Sequence, residues 1–509
     1  MAKRARAPAA LLTLLLAPTV HAEVQFRPSI GATETFSDNV AQTTADQARS
    51  SFITELTPGF SVSSNGPRLQ LNGVYQLHLY SYSRKVDNTT DASSQYQLNM
   101  KSKLIDELLD LDATASRQTT SRSAFGPQGN DSLYANNNRD NVSTYSVSPT
   151  LRHRFGGTAD AYLRYTRNRV DGGASLLGAS NGENIVANLS SGHNFTTVGW
   201  GLNAVQDSFS DPVFGTTVTQ NAVANIRYRT SRTISLTATA GYDKYNYPSQ
   251  GGGATQGASW SGGFIWTPSS RTNLQVAYGR RYYGKTGSME FAYRGHRSAL
   301  NASYGDVVTT SRQQFLATTA FSTTSLLDAA LTASIPDPVE RAKVIANYYA
   351  TTGVSTNLAN NTNYFSNVFQ RLKSFRMGYS LEGGHSTSTV SVYKTRTAAL
   401  QTREADSDIL GQSLASLNDN LDTVGATASY TQRMAQATQA IASINYQRSK
   451  TTDTNLSTDT ESLRFGLMHS FNGKLRGSAE IRHNRGSYFN IGNARFRENA
   501  ISATILMQF

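Results

Sequence analysis

Eight histidines are the side chains best suited to acid–base or metal chemistry near neutral pH. They are His21, His78, His153, His193, His296, His385, His469 and His483. A metal site on one element needs two ligands about a turn apart, so that both reach one ion. No histidine stands at i, i+4 with a second histidine or a carboxylate. There is no cysteine, which removes thiolate metal sites, iron–sulfur clusters, covalent haem and disulfides. A GxSxG elbow, an HExxH pair and a phosphate-cradling P-loop are absent. A Ser–His–acid group assembled from distant strands would leave no such local trace. The sequence therefore assigns no catalytic, cofactor-binding or metal-binding residue, and the chain reads as a protein that is not an enzyme.

What remains is electrostatic chemistry. Arg152, Arg154, Arg164, Arg227, Arg229, Arg376, Arg464, Arg476 and Arg482 each occupy the polar step of an apolar–polar alternation. Leu151 and Phe155 flank the first two, Leu163 and Tyr165 flank Arg164, and Phe375 and Met377 flank Arg376. Successive strand side chains point to opposite faces, so apolar neighbours that face lipid turn these arginines inward. A charge on the lipid face at mid-depth would cost about 2–4 kcal/mol. The expectation is a positive lumen that favours anionic solutes. The competing expectation is pairing with inward acids such as Glu480, or, for Arg152, Arg154 and Arg229, a place at the rim near turns. The excess of 47 Lys+Arg over 35 Asp+Glu does not point to nucleic acid, because the basic residues form no single run or helix.

These assignments presuppose strands, and the composition supports them. Charged residues are 16% of the chain, against about 25% in soluble proteins. Aromatics at 10% argue against disorder. A mean hydropathy of −0.41 and the lack of any run of ~18 apolar residues exclude a helical membrane protein. Alternation of period two runs through Leu69, Leu71, Tyr75, Leu77 and Leu79, through Ile234, Leu236, Ala238 and Ala240, and through Ile501, Ala503, Ile505, Met507 and Phe509. Such strands have one wet face and one dry face, as in a sandwich or a transmembrane barrel. The connectors separate these two. Short turns at 65–67, 156–158, 196–197, 231–232, 268–270, 383–384, 435–436 and 472–473 alternate with long polar segments such as 37–49, 120–140, 210–217, 317–361 and 397–420. Short turns on one side and long loops on the other belong to outer-membrane barrels.

The fold class is thus all-β, an antiparallel transmembrane outer-membrane β-barrel of about 22 strands, with 18–22 as the range. Its short turns and both termini are expected on the periplasmic side, and its long loops outside. The stretches 317–361 and 397–420 carry helical patterns and are expected to fold as helical loop insertions over the rim or into the lumen. Tyr80, Tyr82, Tyr165, Trp200, Tyr228, Trp266, Tyr282 and Tyr379 fit aromatic girdles at the membrane surfaces. Residues 1–22 read as a signal peptide: Lys3, Arg4 and Arg6, then an apolar stretch, then Val20-His21-Ala22 before Glu23. Residues 23–509 form the barrel, with no plug domain before the first alternating segment.

Phe509 ends an alternating strand, which resembles the assembly signal of Gram-negative outer-membrane proteins. The first strand carries a second likeness. Arg27-Pro28-Ser29-Ile30 and then Phe36-Ser37-Asp38-Asn39-Val40 resemble the opening of the PEP-CTERM/exosortase-associated outer-membrane barrels, encoded with exopolysaccharide machinery. The matching features are Phe36, Asp38 and Asn39 in an aromatic-x-Asp-Asn-hydrophobic turn after a proline-containing strand. Physically, Asp38 and Asn39 read as loop formers whose side chains bond nearby backbone.

The expected function is a porin-like barrel for passage or export of a polar solute. The family resemblance points to exopolysaccharide. The alternatives are a non-conducting docking barrel in a secretion assembly and an outer-membrane hydrolase. The expected partners are outer-membrane lipid and lipopolysaccharide, the barrel-assembly machinery, and exopolysaccharide with its export proteins.

Overall fold

The computed structural model describes residues 24–509 except 87–88, 127–137, 173–177, 212–214, 248–254, 318–363, 367, 402–416, 455 and 488–493. Twenty-two strands make one antiparallel sheet. They are β1 Gln25–Ser37, β2 Ser51–Asn65, β3 Leu69–Tyr82, β4 Ala92–Ile105, β5 Leu109–Ser121, β6 Arg139–Phe155, β7 Ala159–Asp171, β8 Ala179–Ser191, β9 Val198–Asp211, β10 Gly215–Arg229 and β11 Ile234–Tyr245. The circuit continues with β12 Gln256–Ser269, β13 Thr272–Arg281, β14 Gly284–Arg294, β15 Ser298–Thr309, β16 Gln370–Glu382, β17 Ser386–Ala399, β18 Leu421–Ala435, β19 Thr438–Thr451, β20 Ser457–Ser470, β21 Leu475–Ser487 and β22 Arg495–Gln508. Each strand pairs with the next, and β1 closes on β22 from Ser29–Gln508 to Ser37–Ala500. Closure leaves no edge to recruit another chain.

The apolar set lies on the outside. Leu151 faces Leu163 across β6–β7, Trp200 faces Ile226 across β9–β10, and Ile481 faces Ile501 across β21–β22. Ile226 is 56% exposed and Ile505 58%, values that a water-facing surface would not sustain around a whole circuit. This is the lipid belt of an outer-membrane barrel. Even strand number places both ends of the sheet at the short-turn end. The short connectors named from sequence all fall there, and Gly156 (φ 59) supplies the left-handed residue of the β6–β7 turn.

Several expectations need correction. At the long-loop end two connectors are short, 212–214 and 282–283, because β9–β10 and β13–β14 run on as hairpins. Tyr80 and Tyr82 face inward with Glu55 and Ile53, their partners on β2, and Tyr282 packs over the mouth with Tyr245 and Tyr247, so none of these three belongs to a girdle. The signal peptide, the helical pattern of 318–361 and most of that in 402–416 lie outside the described residues. The described helix is instead α1, Ser311–Leu316, where Thr310 and Gln313 form a capping box.

Candidate functional site

Strand parity turns all nine predicted arginines toward the lumen, but their charges are largely answered there. Arg164 bonds Asp112, Arg152 meets Asp110 at 2.9 Å, and Arg154 meets Asp160 at 3.0 Å. Arg464 and Arg482 approach Glu480 at 3.7 and 3.9 Å, and Arg482 reaches Glu498 at 3.4 Å. On β5–β7 and β20–β22 these arginines are thus paired with inward acids, which is the competing expectation. Asp110 meets Arg152 of the adjacent strand β6, and Asp112 meets Arg164 of β7, two strands away; that longer match was invisible in one strand's pattern. Arg376 differs. It is half-buried opposite Tyr393, donates to Ser374 Oγ at 3.2 Å, and its Nε has no partner among the described residues. Arg227, Arg229 and Arg476 face in near the short-turn end, where water reaches them.

Loops tie the other end of the lumen together. Phe315 of α1 and Phe365 pack on Val142 and Val170, inward residues of β6 and β7. The neighbouring Tyr364 packs with Phe125, Leu417 and Leu421, and its hydroxyl accepts from Gln447 of β19. Asn418 stitches the segments: its Nδ2 donates to the carbonyls of Arg122 at 2.9 Å and Phe365 at 3.1 Å, and its Oδ1 accepts from Ser123 Oγ at 3.0 Å. Ser311 Oγ donates to the Tyr364 carbonyl at 2.7 Å. Strands β7 and β18 lie half a circuit apart. Adjacent residues touching both sides mean that the loops bridge the lumen there. Burial pushes the Tyr364 phenol up to about 12, against hydrogen bonds from Ser449 and Gln447 that pull it down.

The wall from β10 to β15 is different. Val223, Thr239, Ser259, Ser261, Ala277 and Ser288 line a recess of about 310 Å³. Gly279 keeps it shallow-walled: a Cβ there would lie 1.9 Å from the Trp260 carbonyl oxygen. Its charged border is Arg281 and Asp306; Arg281 reaches Asp243, which Asn221 also holds, at 3.4 Å, and Asp306 pairs with Arg371 at 2.6 Å. Tyr247 stacks on Phe369 at 4.9 Å above the low β13–β14 hairpin.

One acid–base cluster escaped the sequence reading. His78 Nδ1 lies 2.5 Å from Glu55 Oε1, and Ser93 stands directly across from His78 on β4. This is the residue order of a hydrolase triad. However, His78 Nε2 and Ser93 Oγ are both closed to solvent and not bonded to each other. The arrangement has a relay but no approach for a substrate.

The family-like turn has a structural task. Phe36 packs outward on Phe52, with ring centres 5.0 Å apart. Asp38 accepts from the backbone N and Nδ2 of Asn499, both at 2.7 Å. Asn39 bonds the Thr43 and Arg497 carbonyls at 2.6 and 3.0 Å. Buried Glu498 accepts from Ser37, Gln42 and Asn484. Together they lock the β1–β22 seam at one end. At the other, the Phe509 amide donates to the Pro28 carbonyl at 3.0 Å. Among the described residues no group of three or more His, Asp or Glu side chains is placed to hold a metal.

No family model and no curated protein matches the chain. Among solved structures, the FrpB iron transporter from Neisseria meningitidis is 11% identical, matched over 95% of this chain and 82% of its own, with a TM-score of 0.47. A mutant ferric enterobactin receptor from Pseudomonas aeruginosa in complex with enterobactin is 11% identical over 96% of this chain and 82% of its own, with a TM-score of 0.48. A loop-deletion form of OmpT, an outer-membrane protein of Vibrio cholerae, is 9% identical over 96% and 100%, with a TM-score of 0.33. At these identities and TM-scores the likeness carries no argument on fold, solute or mechanism, and the closed 22-stranded barrel rests on the strand pairing itself.

Proposed function

We propose that the chain is a porin-like, non-enzymatic outer-membrane barrel through which a polar solute passes along the β10–β15 side of the lumen. The recess lined by hydroxyls, small side chains and backbone carries this reading, because such a wall suits a hydrated, hydrogen-bonding solute rather than an apolar one. The resemblance of Phe36, Asp38 and Asn39 to exopolysaccharide-locus barrels makes an exopolysaccharide the favoured solute and its export proteins the favoured partners. The long-loop end is then extracellular and both termini periplasmic, with Phe509 presented to the assembly machinery. Purified protein in planar bilayers is expected to conduct in discrete steps, with a mild anion preference from Arg227, Arg229 and Arg376. Surface labelling of intact cells should reach a tag at Asp453 and not one at Gly473.

A second reading has its own observation. The loop bridge between β6–β7 and β19 is what a closed docking barrel would use to fill its mouth. Absence of conductance in correctly folded, heat-modifiable protein would decide for docking.

A further inference from the structure

We propose that the outer face of β16–β19, just above the lipid belt at the long-loop end, binds the phosphates of a bisphosphorylated glycolipid of the lipid A type. This rests on the long-loop end being extracellular, as argued above.

Parity and register place the site. Met377, Val392 and Val424 face lipid, and the same parity continued toward the long loops puts Lys373, Lys394, Arg396, Arg448 and Lys450 on that outer face. Lys394 and Arg448 flank Val424 in one row. Two residues further along, roughly 7 Å by strand rise, Lys373, Arg396 and Lys450 share the next row. All but Lys373 are exposed. None of the five makes an ion pair or a side-chain hydrogen bond among the described residues.

Two acids share the patch. Asp422 stands between Arg396 and Lys450, and Asp459 stands opposite Arg448 but is engaged by Arg495 at 3.7 Å. The patch keeps a net positive charge. Elsewhere on the outer face at this height, several cations find carboxylates: Arg167 with Glu183 at 2.7 Å, Arg169 with Asp171 at 3.1 Å, Arg371 with Asp306 at 2.6 Å and Arg485 with Glu461 at 2.6 Å, while Lys244, Arg280 and Lys285 are exposed there with no carboxylate partner among the described residues. What sets the β16–β19 group apart is its density: five such cations in two adjacent rows. Cations bordering hydrocarbon are stable where an anion meets them at headgroup height, and two rows of Lys and Arg match two phosphates borne above acyl chains.

Delipidated full-length barrel in non-ionic detergent, titrated with lipid A and read by native mass spectrometry, tests this. Lipid A adducts are expected, with at least tenfold weaker binding of the same lipid after dephosphorylation and of phosphatidylglycerol. The quadruple change Lys394→Ala, Arg396→Ala, Arg448→Ala, Lys450→Ala should lose binding at least tenfold, whereas Arg167→Ala with Glu183→Ala should not. Charge-keeping Lys394→Arg with Arg448→Lys should retain it, which separates charge from folding. Equal binding of the dephosphorylated lipid or of phosphatidylglycerol, or equal loss in the charge-keeping variant, would overturn the proposal. Conductance is not part of this readout, so the passage reading stands or falls separately.

Discussion

The two flanks of the lumen solve opposite problems. Around β5–β7 and β17–β22 the inner wall carries large and charged side chains, and nearly every charge has a partner, as in Arg164–Asp112 and Arg482–Glu498. Loops dock there, because Val142, Val170 and Gln447 offer them apolar and hydrogen-bonding seats. Around β10–β15 the recess is lined mostly by Gly, Ala, Val, Ser and Thr, with Arg281 and Asp306 at its border. The same strand geometry underlies both. The contrast teaches that fixed charge in this barrel mostly holds the wall and the loop bridge, while the recess of the proposed passage carries only Arg281 and Asp306 at its border.

The largest expected effect comes from erasing the contrast at the bridge. Tyr364→Ala with Phe365→Ala removes two buried aromatics, worth about 3–5 kcal/mol each if packing is fully lost. Single-channel conductance should rise at least fivefold, with the heat-modifiable barrel intact. An unchanged conductance would mean that the bridge does not limit flow. The mirror experiment fills the open side. Ser261→Trp should at least halve conductance, and the same change at the inward-facing Asn445, in the bridged sector, should leave it nearly unaltered. Equal reductions at both would abolish the distinction between the sectors.

A smaller effect should follow from unbalancing charge. Asp112→Asn leaves Arg164 without its carboxylate and should move the reversal potential in a KCl gradient toward anions. Arg376→Ala should move it toward cations, since among the described residues Arg376 bonds only the Ser374 hydroxyl. Shifts of the opposite sign would refute the lumen assignment of these residues.

Strand number, closure and the in–out parity were legible because a period of two repeats along the whole chain. The arginines could be given a face for the same reason. Their neutralisation could not be read, since Asp112 and Arg164 meet across an intervening strand and their register depends on every turn between them. The bridge was hidden for a related reason: Asn418, Ser123 and Phe365 come together from three loops. One local sign was present and passed over, the Thr310–Gln313 capping box that starts α1. The roles of Asp38 and Asn39 were half visible. Asn39 bonds loop backbone as its type suggests, but Asp38 reaches Asn499 at the far end of the chain.

The finest test of the contrast uses pH. The Tyr364 phenol sits in the bridge with its pKa raised from 10.0 to about 12 by burial. A folded-state pKa above the unfolded one means that the group's contribution is complete below pH 10 and is lost as pH rises through about 12. The bridge should therefore loosen in that window, while the β10–β15 wall has no such group in its recess lining. Conductance of the wild type should rise between pH 10 and pH 12. Tyr364→Phe keeps the ring and loses the bond from Gln447, a cost of about 1 kcal/mol. It should show slightly higher conductance at pH 9 and a flatter response above it. The same steep rise in Tyr364→Phe would move the titrating group elsewhere and leave the bridge held by packing and Asn418 alone.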